Sequence, residues 1–484
     1  MDNTGYTPEE PIAAIATALA PAALGIVRTS GKGCIELISA LFSRPKALLS
    51  AQGNSLVYGW ICEPSLSGAA HSDAQTASSA PLSDTRRLDE VMLSVYRAPK
   101  SFTGEDMVEI SCHGGVSVVS AVYNLLLAHG FRAAEHGEFT FRAYINGKTD
   151  LTKAEAVREI IDAKTDVSRS RAAGRLAGHL YETIDSVKKL IVDTLAAIEV
   201  EIEYPEDEET ISDTFDPADL EKARDQLTDL ASSWKSEKIY QDGARVVLCG
   251  RTNAGKSSLF NALLKEDRAI VSDIAGTTRD WIESWVNFDG IPARLFDTAG
   301  LRETADVIEA KGVELTRDLS QDADIVLYVV DSRAGLSEDD RTFLAQNKIP
   351  LILVWNKSDV SETSTAHGHL DGDECSGSVV TDSCSVSAKT GAGIAELCAA
   401  VKKVLVSGKE SSRTQTGLGS ERQKVCVQAA LESVTHALAL TKDYTLDAVV
   451  QDLEDALDAL GTVTGDVTPD DVLGSIFSHF CVGK

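Results

Sequence analysis

The stretch VVLCGRTNAGKSSLFNALL (246–264) decides how this chain is read. Its first residues are apolar, a glycine breaks the run, and a short polar loop ends in Gly-Lys-Ser. Apolar residues then recur at helical spacing. That order is strand, loop and helix, and residues 250–257 fit G-x-x-x-x-G-K-[ST]. Phosphate chemistry explains the residue types. Glycine lets backbone N–H groups turn inward, so the loop around Ala254, Gly255 and Ser258 would face phosphate oxygens. Lys256 would neutralise the β- and γ-phosphates, and Ser257 would offer its hydroxyl to magnesium. The start of a helix adds its dipole.

Four further segments sharpen this. LFDTAG (295–300) ends an apolar run with Asp297, placed to hold magnesium through water, and Gly300, placed to offer its N–H to a γ-phosphate. LILVWNKSD (351–359) ends with Asn356, Lys357 and Asp359. A carboxylate there can accept from N1–H and the 2-amino group of guanine. Adenine offers neither, so the expected nucleotide is GTP. SVSAKTG (385–391) brings Ser387, Ala388 and Lys389 to the base. SDIAGTTRD (272–280) lies where a switch segment belongs, with Thr278 closing on magnesium when the γ-phosphate is present. Each segment alone is a strand end and turn; in this order they specify a GTPase. Leu301 follows DTAG and cannot orient water as the glutamine of Ras-like enzymes does, so catalysis needs another group.

The chain around this unit has 484 residues, enough for several domains. Its formal charge of −28 argues against coating nucleic acid by bulk attraction, while leaving room for a local basic patch. Nine scattered cysteines without a CxxC pair read as reduced thiols. IAAIATALAPAALGIV (12–27) resembles a signal-peptide core, but no Lys or Arg precedes it and Pro21 interrupts it. It reads as a buried strand and turn, and the chain as cytoplasmic and free of the membrane. Residues 1–148 mix short apolar runs with turns, the pattern of an α+β domain, with a Ser/Ala/Asp-rich loop insertion at 63–87 and a glycine-stopped helix over 118–130. In this stretch His113 with Gly114 and Gly115 reads as a strand running into a glycine turn. Residues 151–204 read as long-helix material with almost no breakers, ended by Pro205, and 219–238 as another helix. The acidic run 203–209 reads as a solvated helix end. Residues 245–404 alternate strands with helices, the mark of a parallel sheet, and helical period returns after 408–420. The expected architecture is multidomain. It has an α+β N-terminal domain over 1–148, an all-α helical domain in two parts (149–240 and 406–484), and an inserted Ras-like α/β P-loop GTPase domain over 241–405.

The joint pattern GRTNAGKSS (250–258), DIAGTTRD (273–280) and DTAGLRETADVIEAKG (297–312) resembles the MnmE (TrmE) family of tRNA-modification GTPases. SFTGEDMVEISCHGG (101–115), GEFTFRAYINGKTDLTKAEAV (137–157) and the terminal FCVGK (480–484) are similar to family signatures outside the GTPase region. The resemblance implies potassium-dependent hydrolysis. Asn253 matches the asparagine that ligates potassium, and the carbonyls of Ser272, Ile274 and Thr277 match the loop that completes the ion site. Glu309 matches the catalytic glutamate, which acts on the attacking water indirectly; by itself it reads as a solvated helix residue. Arg279 and Asp280 match switch residues used when two GTPase domains meet. Arg28, Glu109, Lys148 and Lys484 fall where the family binds a formyl-tetrahydrofolate analogue; taken alone they read as surface charges. The approach APAALGIVRTSG (20–31) departs from the family's glycine- and arginine-rich form but keeps Arg28. The resemblance implies that Cys481 matters for modification; a buried structural thiol is the alternative. It further implies an N-terminal domain for folate binding and homodimer formation, tRNA as substrate, and an FAD-containing MnmG (GidA)-type partner in a heterotetramer or larger complex. That pair would add an aminomethyl or carboxymethylaminomethyl group at C5 of a wobble uridine. A GTP-switched ribosome-assembly factor is the competing reading.

Overall fold

The structure is a computed structural model that describes residues 10–64, 86–203, 217–265, 270, 282–297, 323–360, 380–406, 417–440 and 446–483. The chain divides into two compact units, Met1–Glu155 with Thr464–Lys484, and Ala156–Val463.

The first unit carries strands β1 (Ile12–Ile15), β2 (Leu24–Ser30), β3 (Ser55–Glu63), β4 (Arg86–Tyr96), β5 (Met107–His113) and β6 (Arg132–Ala133) in the order β3-β4-β5-β2-β1-β6. Only the β1–β6 pairing is parallel among these described strands. The stretch that resembles a signal core is β1, a turn and the start of β2, with Ile12, Ala13 and Ala14 fully buried. Alternation along the strands puts Val57, Ile61, Val91, Leu93, Val27 and Ile110 on one face. Helices Cys34–Ser39 and Val116–Ala128 cover it with Ile35, Ile38, Val119 and Val122. Burying each such side chain stabilises by roughly 1.5–3 kcal/mol. The glycine stop of the second helix is real: Gly130 has φ +94°. The opposite sheet face is wetter and carries the residues discussed below.

The second unit holds β7 (Ala244–Cys249), β8 (Ile282–Phe288), β9 (Ile291–Asp297), β10 (Ile325–Asp331), β11 (Leu351–Asn356) and β12 (Val380–Ser385) in the order β12-β11-β10-β7-β9-β8. All pairings are parallel except β8–β9, which form a hairpin. The central strands are buried on both faces, which is why β10 and β11 read as unbroken apolar runs. Helices Lys256–Leu263 and Ile394–Leu405 pack on one face, and Glu338–Gln346 on the other. The long helices His179–Glu203, Ala218–Asp242, Glu421–Leu440 and Leu446–Thr464 share a core that includes Ile184, Val187, Leu227, Val434 and Leu453.

The long helical stretch differs from the sequence reading. It is cut into Leu151–Asp162, Asp166–Ala177 and His179–Glu203. Thr165 caps the second helix by accepting from the Ser168 N–H at 3.2 Å, and Gly178 ends it at φ +105°. The acidic run beyond Glu203 and most of the 63–87 insertion lie outside the described residues. Among the described residues no helix is long and apolar enough to cross a membrane.

Candidate functional site

Parallel α/β sheets bind ligands at the carboxyl ends of their strands, where chain order reverses. Here β7 stands between β10 and β9, and the loop of residues 250–255 leaves its end. Gly250 has φ +131°, and a Cβ there would strike the Val329 carbonyl of β10. Gly255, at φ +97°, precedes the helix Lys256–Leu263; a Cβ there would strike the Asn356 amide. Glycine is therefore required at both ends of the loop by close approach as well as by backbone conformation. Lys256 Nζ donates to the carbonyls of Gly250 (2.7 Å) and Arg251 (2.9 Å), which keeps its ammonium over the loop. Ser257 and Ser258 are exposed at the helix start. Asp297 ends β9, almost fully buried, in register with Leu248 of β7.

The segments after β11 and β12 are stitched to this loop. Asn356 Nδ2 donates to the Ala254 carbonyl at 3.0 Å, and its Oδ1 accepts from the N–H groups of Lys357 (2.8 Å) and Ala388 (3.1 Å). Ser387 Oγ donates to Asp359 Oδ1 at 2.7 Å, aiming a carboxylate that is itself exposed. Lys389 is exposed. Asn253 sits at φ +65°, and its carbonyl accepts from Lys357 Nζ at 2.7 Å. Loop 250–255, Asp297 and the segments 356–359 and 387–389 thus lie at the carboxyl ends of strands of one sheet. Ser272, Ile274, Thr277, Thr278, Arg279, Asp280, Gly300, Leu301 and Glu309 lie outside the described residues.

Sequence reasoning missed Asp331, which ends β10. Its Oδ2 accepts from Lys357 Nζ at 2.8 Å and from Arg333 Nη2 at 2.8 Å. The Arg333 hydrogen bond, helped by Lys357, holds this carboxyl well below the usual carboxylate range despite some burial. The strand end was legible, but its partner follows the next strand. Cys249, which precedes the loop, is fully buried; burial pushes its thiol up to about 12, so it serves packing.

A second cluster lies in the first unit. Arg28 of β2 and Glu109 of β5 are register partners on the wetter sheet face. Arg28 Nε donates to Glu109 Oε1 at 2.9 Å, and Arg28 Nη1 donates to the Gly483 carbonyl at 3.1 Å. The guanidinium carbon lies 5.8 Å from the Phe102 ring centre and 5.7 Å from that of Phe139. Lys148 Nζ donates to the Pro99 carbonyl at 3.0 Å, on the loop that carries Phe102. Lys484 lies outside the described residues. Sequence reasoning did not find what seats the C-terminal segment. His136 Nδ1 lies 2.9 Å from the Phe480 carbonyl, and Phe477 packs edge-on against Phe141 at 5.2 Å. The aromatic residues of FTF (139–141) and FSHF (477–480) were the available signal. Cys481 is exposed, so the alternative of a buried thiol is overturned. His113 is structural as read: its N–H donates to Asp89 Oδ2 and its Nδ1 lies 2.8 Å from Asp89 Oδ1.

Comparison with known proteins bears on both clusters. The family described as GTP-binding protein TrmE N-terminus matches residues 11–148, and the MnmE helical domain family matches residues 151–481. The tRNA modification GTPase MnmE of Treponema denticola is 50% identical over 487 residues, covering 99% of each chain. The protein of the same name from Treponema pallidum (strain Nichols) is 42% identical over 99% of each chain. That of Carboxydothermus hydrogenoformans is 40% identical over 98% of this chain and 100% of its own. A glycine loop tied to the segments at 356–359 and 387–389, two matched family domains and relatives alike from end to end lead to one conclusion: the chain belongs to the MnmE family of tRNA modification GTPases.

Proposed function

We propose that this GTP hydrolase of tRNA modification is stimulated by potassium, works as a cytoplasmic homodimer with an FAD-dependent MnmG-type partner, and modifies C5 of the wobble uridine. The group added is aminomethyl or carboxymethylaminomethyl, built with a tetrahydrofolate one-carbon unit. The observation that carries this reading is the Arg28–Glu109 pair meeting the C-terminal Gly483 carbonyl, in a chain that also holds a joined GTP site.

The residues present fit the groups the reading needs. Asn253 is exposed in a left-handed turn, and its side-chain amide makes no hydrogen bond with the described residues. An amide oxygen is a suitable donor for a hard monovalent cation, and Ser257 with Asp297 supplies oxygens suited to magnesium. Glu109 can accept from the donor edge of a pterin, while Arg28 and Lys148 suit a carboxylate tail. Bound, the metal ions supply positive charge against the triphosphate, and the folate supplies the carbon. The chain does the rest. Backbone N–H groups of 254–258 and the helix dipole hold the phosphates in place. Lys256 exchanges neutral carbonyl partners for charged phosphate oxygens, which make stronger hydrogen bonds. Asp359, aimed by Ser387, selects guanine. Thr278 closes the switch, Arg279 and Asp280 meet their counterparts in the second copy, and Glu309 orients the attacking water through an intermediary. Cys481 and Lys484 act at the folate end.

Homodimerisation is supported by the wetter sheet face. Tyr58, Met92, Ser111 and Ile26 line up across four strands, with Tyr58 and Met92 exposed. The neighbouring row, Leu56, Ser94, Glu109 and Arg28, carries the folate-type pair.

Mass analysis of tRNA nucleosides from cells lacking this chain tests the reading. The expected result is loss of the wobble-uridine modification with normal ribosomal subunits. Intact modified uridine with missing subunits would replace it by the ribosome-assembly reading.

A further inference from the structure

Lys357 does more than border the base-reading carboxylate. Its Nζ bridges two acceptors on different elements, the Asn253 carbonyl at 2.7 Å and Asp331 Oδ2 at 2.8 Å. Asp331 reaches this position because β10 and β11 are parallel and place it in register with Asn356, the residue before Lys357. The carboxylate is fixed from its other side. Arg333 donates to it from Nη2 at 2.8 Å and from Nε at 3.1 Å, and the Arg333 N–H donates to Oδ1 at 3.0 Å. Lys357 stands at φ +65°, a region that residues other than glycine, Asn and Asp rarely adopt, so its turn is held by its contacts; Asn253, also at φ +65°, is of a type that tolerates it. The bond from Lys357 to the Asn253 carbonyl fixes the peptide plane that follows the Asn253 side chain.

We propose that Asp331 is a positioning residue of the GTPase site: through Lys357 it pins the Asn253 turn and neutralises the ammonium beside it, and so sets the affinity of the phosphate loop for a monovalent cation. The inference rests on the potassium reading above. Two effects act in the same direction. Without the carboxylate the lysine loses one of its anchors, and the Asn253 peptide gains freedom. The ammonium also becomes an uncompensated positive charge next to a site for another cation, and like charges at this range repel. The lowered pKa of Asp331 agrees with a carboxylate that is ionised at every pH where the enzyme would work.

The test titrates potassium against binding of a fluorescent GDP with aluminium fluoride to the full chain, with GDP binding in sodium and the melting temperature as controls. For Asp331→Asn the potassium needed for half-saturation should rise roughly five- to tenfold, the size expected for losing one charge-assisted hydrogen bond near the surface. GDP affinity in sodium, which Lys357 also serves, should fall by a smaller factor than the potassium affinity does. Asp331→Glu, which keeps the charge, should recover part of the loss. An unchanged half-saturation, or an equal fall of GDP affinity in sodium, overturns the role of Asp331 while leaving the potassium reading standing. A parent protein whose binding ignores potassium overturns both.

Discussion

Arg28 shows how much a single side chain can gather. One guanidinium reaches a carboxylate on a neighbouring strand, a carbonyl at the far end of the chain and the faces of two phenylalanines. Arginine suits this because its donors form a rigid planar fork and its flat faces tolerate aromatic rings. Lysine could supply the charge but not the simultaneous geometry. Calorimetric titration with 5-formyl-tetrahydrofolate should therefore show affinity falling at least tenfold for Arg28→Lys, and further for Arg28→Ala, a loss of about 1.4 kcal/mol or more. Equal affinities for parent and Arg28→Lys would remove Arg28 from the proposed folate site. By residue type alone Glu109 is one acid among 74 acidic residues, and only the family resemblance singles it out; the structure adds that β2 and β5 set it opposite Arg28.

Among the elements, the phosphate loop is held by backbone geometry that side chains cannot imitate. Gly255 combines a left-handed φ with an approach so close that a Cβ would displace the Asn356 amide. Gly255→Ala should accordingly lower GTP affinity by more than about tenfold and reduce the melting temperature, since strain of about 1–2 kcal/mol adds to the loss of the Asn356 contact. Nucleotide titration beside a thermal melt checks this; parental affinity would show that the loop yields without consequence. The helices show a different lesson. Thr165 and Gly178 divide a stretch that has continuous helical period, and the division turns Arg171 and Arg175 toward Glu237 on the helix Ala218–Asp242. Glu237 and Arg175 are buried, so the break places charges where they find partners instead of interrupting an apolar core. Arg171 also stacks over Tyr240, in the last turn of that helix and just ahead of the strand that leads to the phosphate loop.

For the whole molecule, the first unit leaves an exposed sheet face that a second copy would cover in the proposed homodimer. A stable dimer buries about 1,200–2,000 Å² in total, and a charge placed at the centre of such a patch opposes it. Met92→Asp should shift the chain from dimer to monomer in light scattering while the melting temperature stays close to parental, because Met92 is exposed in the single chain. A dimer that survives this change would point to another interface. The GTPase unit was the most legible part of the chain: VVLCG ends a strand, GKS opens a helix, and NKSD and SAK follow in order, because loops that grip phosphate and guanine use short stretches of backbone whose spacing is written locally. The buried strand and turn at 12–27 were legible for the same reason, as an apolar run broken at Pro21. What the tertiary structure alone decided are meetings between distant residues. Arg28 and Gly483 are 455 positions apart, and Asp331 and Lys357, at the ends of different strands, are 26 apart. No local period specifies either encounter. Strand register brings Asp331 beside Lys357, and the packing of Phe477 on Phe141 with the His136 contact to Phe480 brings Gly483 to Arg28.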